Sequence, residues 1–265
     1  MRRTASLRSR GVLVAVRHII DFVAIKAACE NCRLATLCLP AGLEAADLKR
    51  LEQLVRRPHP LRRGEALFRV SDRMHAIYAV RAGSFRTYYL AEDGREKVLG
   101  FYLPGEVLGF DGLGSGQHRC TADALETASV CELPLEQLQE LADRLPSLNH
   151  QLYRLMSQEI AHDQEMLLLL SDKNAQERLA TFLLNLAQRF GKRGFSAGEF
   201  HLSMSRQNIA NYLGLTLETV SRTFSQFQKE GLLSVERRHV RLLDKRRLSL
   251  MAGPGRPASS STATT

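Results

Sequence analysis

Residues 206–225 read RQNIANYLGLTLETVSRTFS. Ile209, Ala210 and Leu213 recur at helical spacing and form the apolar stripe of one helix. Gly214 supplies a sharp turn at positive φ, Leu215 closes the junction, and Thr216 is a ready N-cap for a second helix. Val220, Phe224 and Phe227 then make the buried face of that second helix, and the small Ala210 lets the two helices cross closely. This combination reads as a helix-turn-helix. Two ordinary core helices around a glycine turn would share parts of it and are the weaker reading. Thr223 stands where such a helix usually carries an apolar side chain, so packing is expected to be looser there.

Glu218, Ser221 and Arg222 project from one face of the first turns of the second helix, at offsets of 0, +3 and +4. An arginine there can donate two hydrogen bonds to guanine O6 and N7, and a glutamate can accept from cytosine N4. The same Glu and Arg can instead pair with each other, or do both, with Glu218 steering Arg222. Beyond Gly231, Leu233–Val235 and Val240–Leu243 flank the turn Glu236-Arg237-Arg238-His239. That pattern is a β wing whose arginines would reach phosphates.

Charge along the chain agrees with a polyanion binder at this end. The net charge is +9, from 37 basic and 28 acidic side chains over 265 residues. Residues 1–20 hold five arginines and no acid, 21–171 hold 17 basic against 21 acidic side chains, and 172–251 hold 14 against 7. An acidic-leaning first part followed by a basic last part suits a sensor joined to a nucleic-acid reader. The length exceeds one ordinary core and suits two small ones.

Upstream, short strands alternate with turn signals: Ala66–Val70, Ala76–Ala82, Phe85–Leu90, Lys97–Leu103, Ala122–Ala124 and Ser129–Leu133. Strands so short and evenly spaced suit an all-β roll or barrel better than βαβ units. Leu135–Leu141 is a short amphipathic segment, and from Pro146 a long helix runs to about Leu170. In that helix Tyr153, Met156, Ile160, Asp163, Leu167 and Leu170 are separated by 3, 4, 3, 4 and 3 residues, the seam of a parallel helix pair. The alternative is a helix packing that stripe on its own domain. Asp163 is the anomaly in the seam. Two such carboxylates at ~5 Å, in an effective dielectric of ~20, repel by roughly 3 kcal/mol, which makes pairing conditional unless Asp163 lies at the solvated edge beside Arg154.

Five cysteines remain: Cys29, Cys32, Cys38, Cys120 and Cys131. The first three form C-x2-C-x5-C, which converges three sulfurs from one loop and needs a fourth ligand from far along the chain. Four thiolates suit tetrahedral zinc or an iron–sulfur cluster. Structural zinc more often uses two C-x2-C hooks, so the three-plus-one arrangement favours a cluster; unliganded thiols are the third option. Leu34, Leu37 and Leu39 lie among the ligands and would shield such a centre. By spacing alone, either Cys120 or Cys131 is the fourth ligand.

These residues carry a family resemblance. The cysteine run, GFDGLGSGQH at 109–118, ALETASVCELP at 124–134 and NYLGLTLETVSR at 211–222 together resemble the FNR family, the oxygen-sensing fumarate-and-nitrate-reduction regulators of the cyclic-AMP receptor protein superfamily. The resemblance spans about residues 27–250. It implies an α+β fold: an N-terminal β-roll of the cyclic-nucleotide-binding kind, a long dimerisation helix and a C-terminal winged helix-turn-helix. It implies a 4Fe–4S cluster on Cys29, Cys32, Cys38 and Cys131, with Cys120 a bystander. Glu218, Ser221 and Arg222 would read TTGAT-like half-sites, palindromic across a homodimer on double-stranded DNA. The turn Glu92–Lys97 and the loop near Ala82 would meet RNA polymerase. Arg33 departs from the family, setting a positive charge among the ligands where a small polar residue is familiar; nearby charge shifts a cluster's potential.

The expected organisation is a flexible basic arm (1–26), the cysteine loop with the sensory roll (27–142), the dimer helix (143–171), the winged helix-turn-helix (172–250) and a disordered tail (251–265). The expected function is oxygen-responsive control of anaerobic promoters, by activation or repression, without enzymatic activity. No run of 18 uncharged apolar residues exists, so no membrane span is expected. The N-terminus resembles a signal peptide only until Arg17, His18 and Asp21 interrupt it, so a cytoplasmic location is expected. Three alternatives stand beside this: a cyclic-nucleotide-responsive factor using Gly105, Glu106, Arg119 and Thr121, a zinc-stabilised regulator, and a thiol oxidoreductase using Cys29 and Cys32. The last lacks the βαβ context it would need.

Overall fold

The computed structural model describes residues 28–253; the expected arm at 1–26 and the tail beyond 253 lie outside them. The described residues open with two single helical turns, Cys29–Asn31 and Ala35–Leu37, followed by α1 (Ala45–Leu54). Seven strands follow: β1 (Ala66–Phe68), β2 (Ala76–Ala82), β3 (Phe85–Leu90), β4 (Glu96–Tyr102), β5 (Val107–Leu108), β6 (Thr121–Ala124) and β7 (Ser129–Pro134). They form two sheets, in the orders β1-β6-β3-β4 and β5-β2-β7, with antiparallel neighbours throughout.

Parity along a strand decides what each residue faces. In β2, Ala76, Tyr78 and Val80 point into the roll, where they meet Phe68, Phe85, Ala122 and Ala124. Ile77 and Ala79 point the other way, into a second core with Leu39 of the cysteine loop, Leu51 of α1 and Leu148 further on. From Ala76 to Val80 β2 therefore has no solvent face, which is why those five residues read as an unbroken apolar run. β7 obeys the same rule: Val130 is interior, whereas Cys131 and Leu133 lie on the outer face.

Two helices leave the roll, α2 (Leu135–Arg144) and the 27-residue α3 (Pro146–Asp172), the latter with proline in its first turn, where a missing N–H costs nothing. α3 serves two cores. Leu148 and Leu155 pack with the cysteine loop and α1, and Leu169 packs into the C-terminal domain.

That domain comprises α4 (Ala175–Lys192), β8 (Glu199–His201), α5 (Arg206–Leu213), α6 (Leu217–Lys229), β9 (Leu233–Glu236), β10 (His239–Leu242) and α7 (Lys245–Ala252). The strands form one sheet, β8-β10-β9. Its core extends into the roll, since Val98, Phe101, Leu103 and Leu125 belong to the same cluster as Leu179, Leu183 and Phe227. The rings of Phe101, Phe182 and Tyr212 meet at this border, Phe101 and Tyr212 with centroids 5.0 Å apart.

Arg178 closes the joint between α3 and the C-terminal domain. Its guanidinium donates to the carbonyls of Lys173 (2.7 Å), Leu170 (2.8 Å) and Leu213 (2.9 Å). It thereby satisfies carbonyls that the ends of α3 and α5 leave without intrahelical partners. Beside it, Lys173 Nζ donates to the carbonyl of Ala252, 2.7 Å away, at the end of α7.

The architecture is the expected one, with local differences. β1 stops at Phe68, short of Val70, because Ser71 turns the chain with φ of 70°. α1 lies ahead of the first expected strand, where no helix is expected, and neither β5 nor α7 is expected from the sequence. Residues 251 and 252 belong to α7, where Ala252 is buried, so the expected boundary at 250 and the expected disorder from 251 do not apply to these two. No helix among the described residues is long and apolar enough to cross a membrane. Arg178→Ala removes the shared donor of three main-chain carbonyls. At about 1 kcal/mol each, it is expected to lower stability by about 2–4 kcal/mol in urea denaturation.

Candidate functional site

Four cysteines line one cavity of about 40 Å³, beneath the cysteine loop and against the outer face of the β5-β2-β7 sheet. Cys29, Cys32 and Cys38 come from the loop and Cys131 from β7, opposite Ala79 in the ladder. The remaining lining is largely apolar, with Leu34, Leu39, Leu51 and Val55 among it. A single water needs about 10–15 Å³, so the space suits something larger. All five cysteines are free thiols. Cys120 is elsewhere: it lies buried inside the roll, its Sγ 3.4 Å from Asp111 Oδ2. The sheet thus separates the two candidates for the fourth ligand. Among the described residues, no three His, Cys, Asp or Glu side chains are grouped closely enough to hold a lone metal ion.

Three of these thiols, Cys29, Cys38 and Cys131, resist ionisation as they stand. Burial pushes Cys38 up to about 12, and the neighbouring Cys131 and Cys32 add to the effect. Burial likewise raises Cys29, helped by Glu52, and raises Cys131, although Arg57 and Arg81 oppose it. A cationic centre would reverse this balance, because thiolates are the binding form and burial without one disfavours charge. Four sulfurs facing one largely apolar space are a donor set that a metal–sulfur centre could use.

The loop is tied down on three sides. Cys29 N–H donates to Glu52 Oε2 of α1 at 2.8 Å, and Arg57 holds the other carboxylate oxygen at 2.5 Å. Gln151 of α3, a buried amide, donates from Nε2 to the carbonyl of Cys38 at 3.1 Å and accepts from Arg154 Nε at 2.8 Å. Gly105, in the turn between β4 and β5, lies so close that a Cβ there would stand 3.1 Å from Leu37 Cβ. Sequence reasoning missed Glu52 and Gln151. A glutamate and a glutamine on helices carry no signal until the fold brings them to the loop.

The residues expected to form a seam on α3 divide between its free face and its packed flanks. Tyr153, Ile160 and Leu167 are 62%, 59% and 69% exposed, far more than such side chains usually are. Asp163 is exposed one turn beyond Ile160, Met156 is half-buried, and Leu170 is half-buried toward Gly214. The expected neighbour Arg154 turns instead to Gln151.

In the helix-turn-helix, Ser205 and Asn208 form a capping box on α5, Gly214 takes φ of 63°, and Thr216 caps α6 through the N–H of Thr219. Glu218, Ser221 and Arg222 are exposed together on α6, with Arg222 Nη2 2.5 Å from Glu218 Oε1. Thr223 is buried, but its hydroxyl donates to the carbonyl of Thr219 at 2.8 Å, so it leaves no unmet polar group. On the wing, Arg237 is exposed, whereas Arg238 turns back to donate to the carbonyl of Ser203 at 3.2 Å. The turn at Glu92–Gly94 is exposed, and Ala82 is half-buried.

The residues considered for a nucleotide do not converge. Glu106 is engaged by Arg189 and Arg193, and Arg119 is exposed with its N–H on Asp111. Thr121 Oγ1 accepts from the N–H of Val70.

Comparison with known proteins gives two family matches: a Crp-like helix-turn-helix domain over residues 177–251 and a cyclic nucleotide-binding domain over 58–144. The transcriptional activator protein Anr of Pseudomonas protegens is 51% identical over 228 residues, covering 86% of this chain and 93% of that protein. The fumarate and nitrate reduction regulatory protein of Salmonella typhimurium is 45% identical over 225 residues, covering 85% and 90%. Among solved structures, FixK2 from Bradyrhizobium japonicum superposes with a TM-score of 0.71 at 33% identity, covering 76% of this chain and 99% of its own.

Gly105 has φ of +89° and faces Leu37 and Leu34. Gly105→Ala is therefore expected to cost about 1–3 kcal/mol through backbone strain alone, read by urea denaturation, with faster proteolysis in the 28–41 loop.

Proposed function

The chain belongs to the FNR family of Crp-type transcription regulators, and on that premise we propose that it is a cytoplasmic, oxygen-responsive factor whose Cys29, Cys32, Cys38 and Cys131 hold a 4Fe–4S cluster. The observation that carries this reading is the cavity onto which three loop cysteines and one strand cysteine face together, while Cys120 lies across the sheet. A cluster spans more widely spaced sulfurs than a lone ion, and Arg57 and Arg81 stand near enough to Cys131 to offset its negative charge. When bound, the cluster supplies an oxygen-labile crosslink between the loop and the roll.

The protein residues turn that crosslink into a response. With the loop ordered, the carbonyl of Cys38 stays on Gln151 and braces α3 from its buried side. The opposite side then presents Tyr153, Ile160 and Leu167 to a second copy, against the repulsion of two Asp163 carboxylates. Losing the brace by a few kcal/mol changes the paired fraction greatly. In the dimer, two α6 helices enter successive major grooves about 34 Å apart. There Glu218, Ser221 and Arg222 read palindromic TTGAT-like half-sites, and the 92–97 turn with the loop near Ala82 meets RNA polymerase.

Protein purified without oxygen is expected to be brown and to contain iron and acid-labile sulfide. Cys131→Ser should lose both and Cys120→Ser neither. Iron-free wild type that still pairs and occupies its operator would refute the cluster. Asp163→Ala is expected to sediment as a dimer in air, where the wild type is a monomer; an aerobic monomer would refute the role given to this carboxylate.

A further inference from the structure

The turn Leu103–Glu106 is pressed between the two halves of the molecule. On one side, Gly105 lines the cysteine cavity, and a Cβ on it would stand 3.1 Å from Leu37 Cβ and 3.6 Å from Leu34 Cβ. On the other side, two arginines of α4, in the DNA-binding domain, close on the same turn. Arg189 Nε donates to Glu106 Oε1 at 2.9 Å, and its Nη2 reaches both Glu106 Oε2 and the carbonyl of Phe101. Arg193 donates from Nη2 to Glu106 Oε1 at 2.5 Å and from Nε to the carbonyl of Pro104 at 2.6 Å. The N–H of Leu103 completes the set on Glu106 Oε2 at 2.9 Å.

This turn has little freedom to move on one side alone. Gly105 N–H donates to the carbonyl of Val80, and Val80 N–H donates to that of Glu106, both at 2.8 Å. Arg193 is almost wholly buried and Arg189 largely so. One carboxylate thus holds two guanidinium groups out of water, an arrangement that opens when the carboxylate is removed, because two like charges are left buried together.

We infer that the Leu103–Glu106 turn relays the state of the cysteine loop to the DNA-binding domain, with Glu106 as a positioning residue that fixes the orientation of α4. The inference rests on the cluster reading above. An ordered loop packs Leu34 and Leu37 on Gly105 and keeps Glu106 in the grip of Arg189 and Arg193. A disordered loop takes Leu34 and Leu37 off Gly105 and lets the turn shift with β2, and the helix-turn-helix loses its fixed setting on the roll. Oxygen then acts twice, once on pairing through Gln151 and once on the aim of the reading helix within each protomer.

The test uses full-length wild type, Glu106→Gln and the milder Arg193→Lys, all purified without oxygen. Each is assayed for iron and sulfide, for mass by sedimentation, for affinity to a palindromic duplex by fluorescence anisotropy, and for amide exchange in α4 and the 103–106 turn. Glu106→Gln is expected to carry wild-type iron and to be dimeric, yet to bind the duplex at least tenfold more weakly. Its exchange in α4 and the turn should rise to that of cluster-free wild type. Arg193→Lys should fall between the two. An iron-loaded, dimeric Glu106→Gln with affinity within twofold of wild type and unchanged exchange overturns the relay alone. Wild type without iron overturns the cluster reading, and the relay with it.

Discussion

The long helix Pro146–Asp172 buries Leu148 and Leu155 in the core around the cysteine loop and Leu169 in the core of the DNA-binding domain. Those two commitments fix its rotation about its own axis. The residues on the remaining face, Tyr153, Ile160 and Leu167, then point to solvent whatever their chemistry. A helix carrying an apolar stripe in water is stable only when held by its other faces, since isolated helices are marginal. The stripe is therefore a consequence of packing elsewhere, and its availability to a second copy depends on how firmly the buried side is held.

That buried side meets the cysteine loop through a polar contact, Gln151 to the carbonyl of Cys38. Around it the loop rests on apolar packing through Leu39 and on the anchor from Cys29 to Glu52. The remaining link, from roll to DNA-binding domain, uses another kind of interaction: aromatic contact among Phe101, Phe182 and Tyr212 beside a buried carboxylate–diguanidinium group. Apolar contact holds the two halves together without specifying their angle, and directional hydrogen bonds specify it, those of Glu106 together with the buried bond from Ser84 Oγ to Ser203 Oγ at 2.7 Å.

Features legible in the sequence are those encoded locally. Thr216, Gly214 and the stripe from Ile209 to Leu213 define the helix-turn-helix within about two turns of chain, and C-x2-C-x5-C announces a converging loop. The heptad spacing of Tyr153, Ile160 and Leu167 finds the free face of α3. Other features depend on the fold. β7 is covered on both faces, and so is β6 next to Cys120, so alternation does not tell which of Cys120 and Cys131 faces the loop; only the family resemblance favours one. α1 is short and mostly charged, with Leu51 as its one fully buried anchor, and so looks like loop. β5 has two residues, too few for any period. The start of α4 is marked by its Asn174–Glu177 capping box, a local signal that becomes plain only once the helix is seen. Glu106 and its arginines lie far apart in the chain, and nothing local connects them.

Arg178 carries one further consequence. All three of its partners are main-chain carbonyls, which carry no net charge for dissolved ions to neutralise. Dissolved ions screen contacts with phosphate groups strongly, but they have little purchase on a cation seated among carbonyl dipoles. The joint between the long helix and the reading head should therefore keep its stiffness across ionic strengths at which the grip on a polyanion fades, so that changes in the cell's salt alter how tightly the head holds without altering its shape.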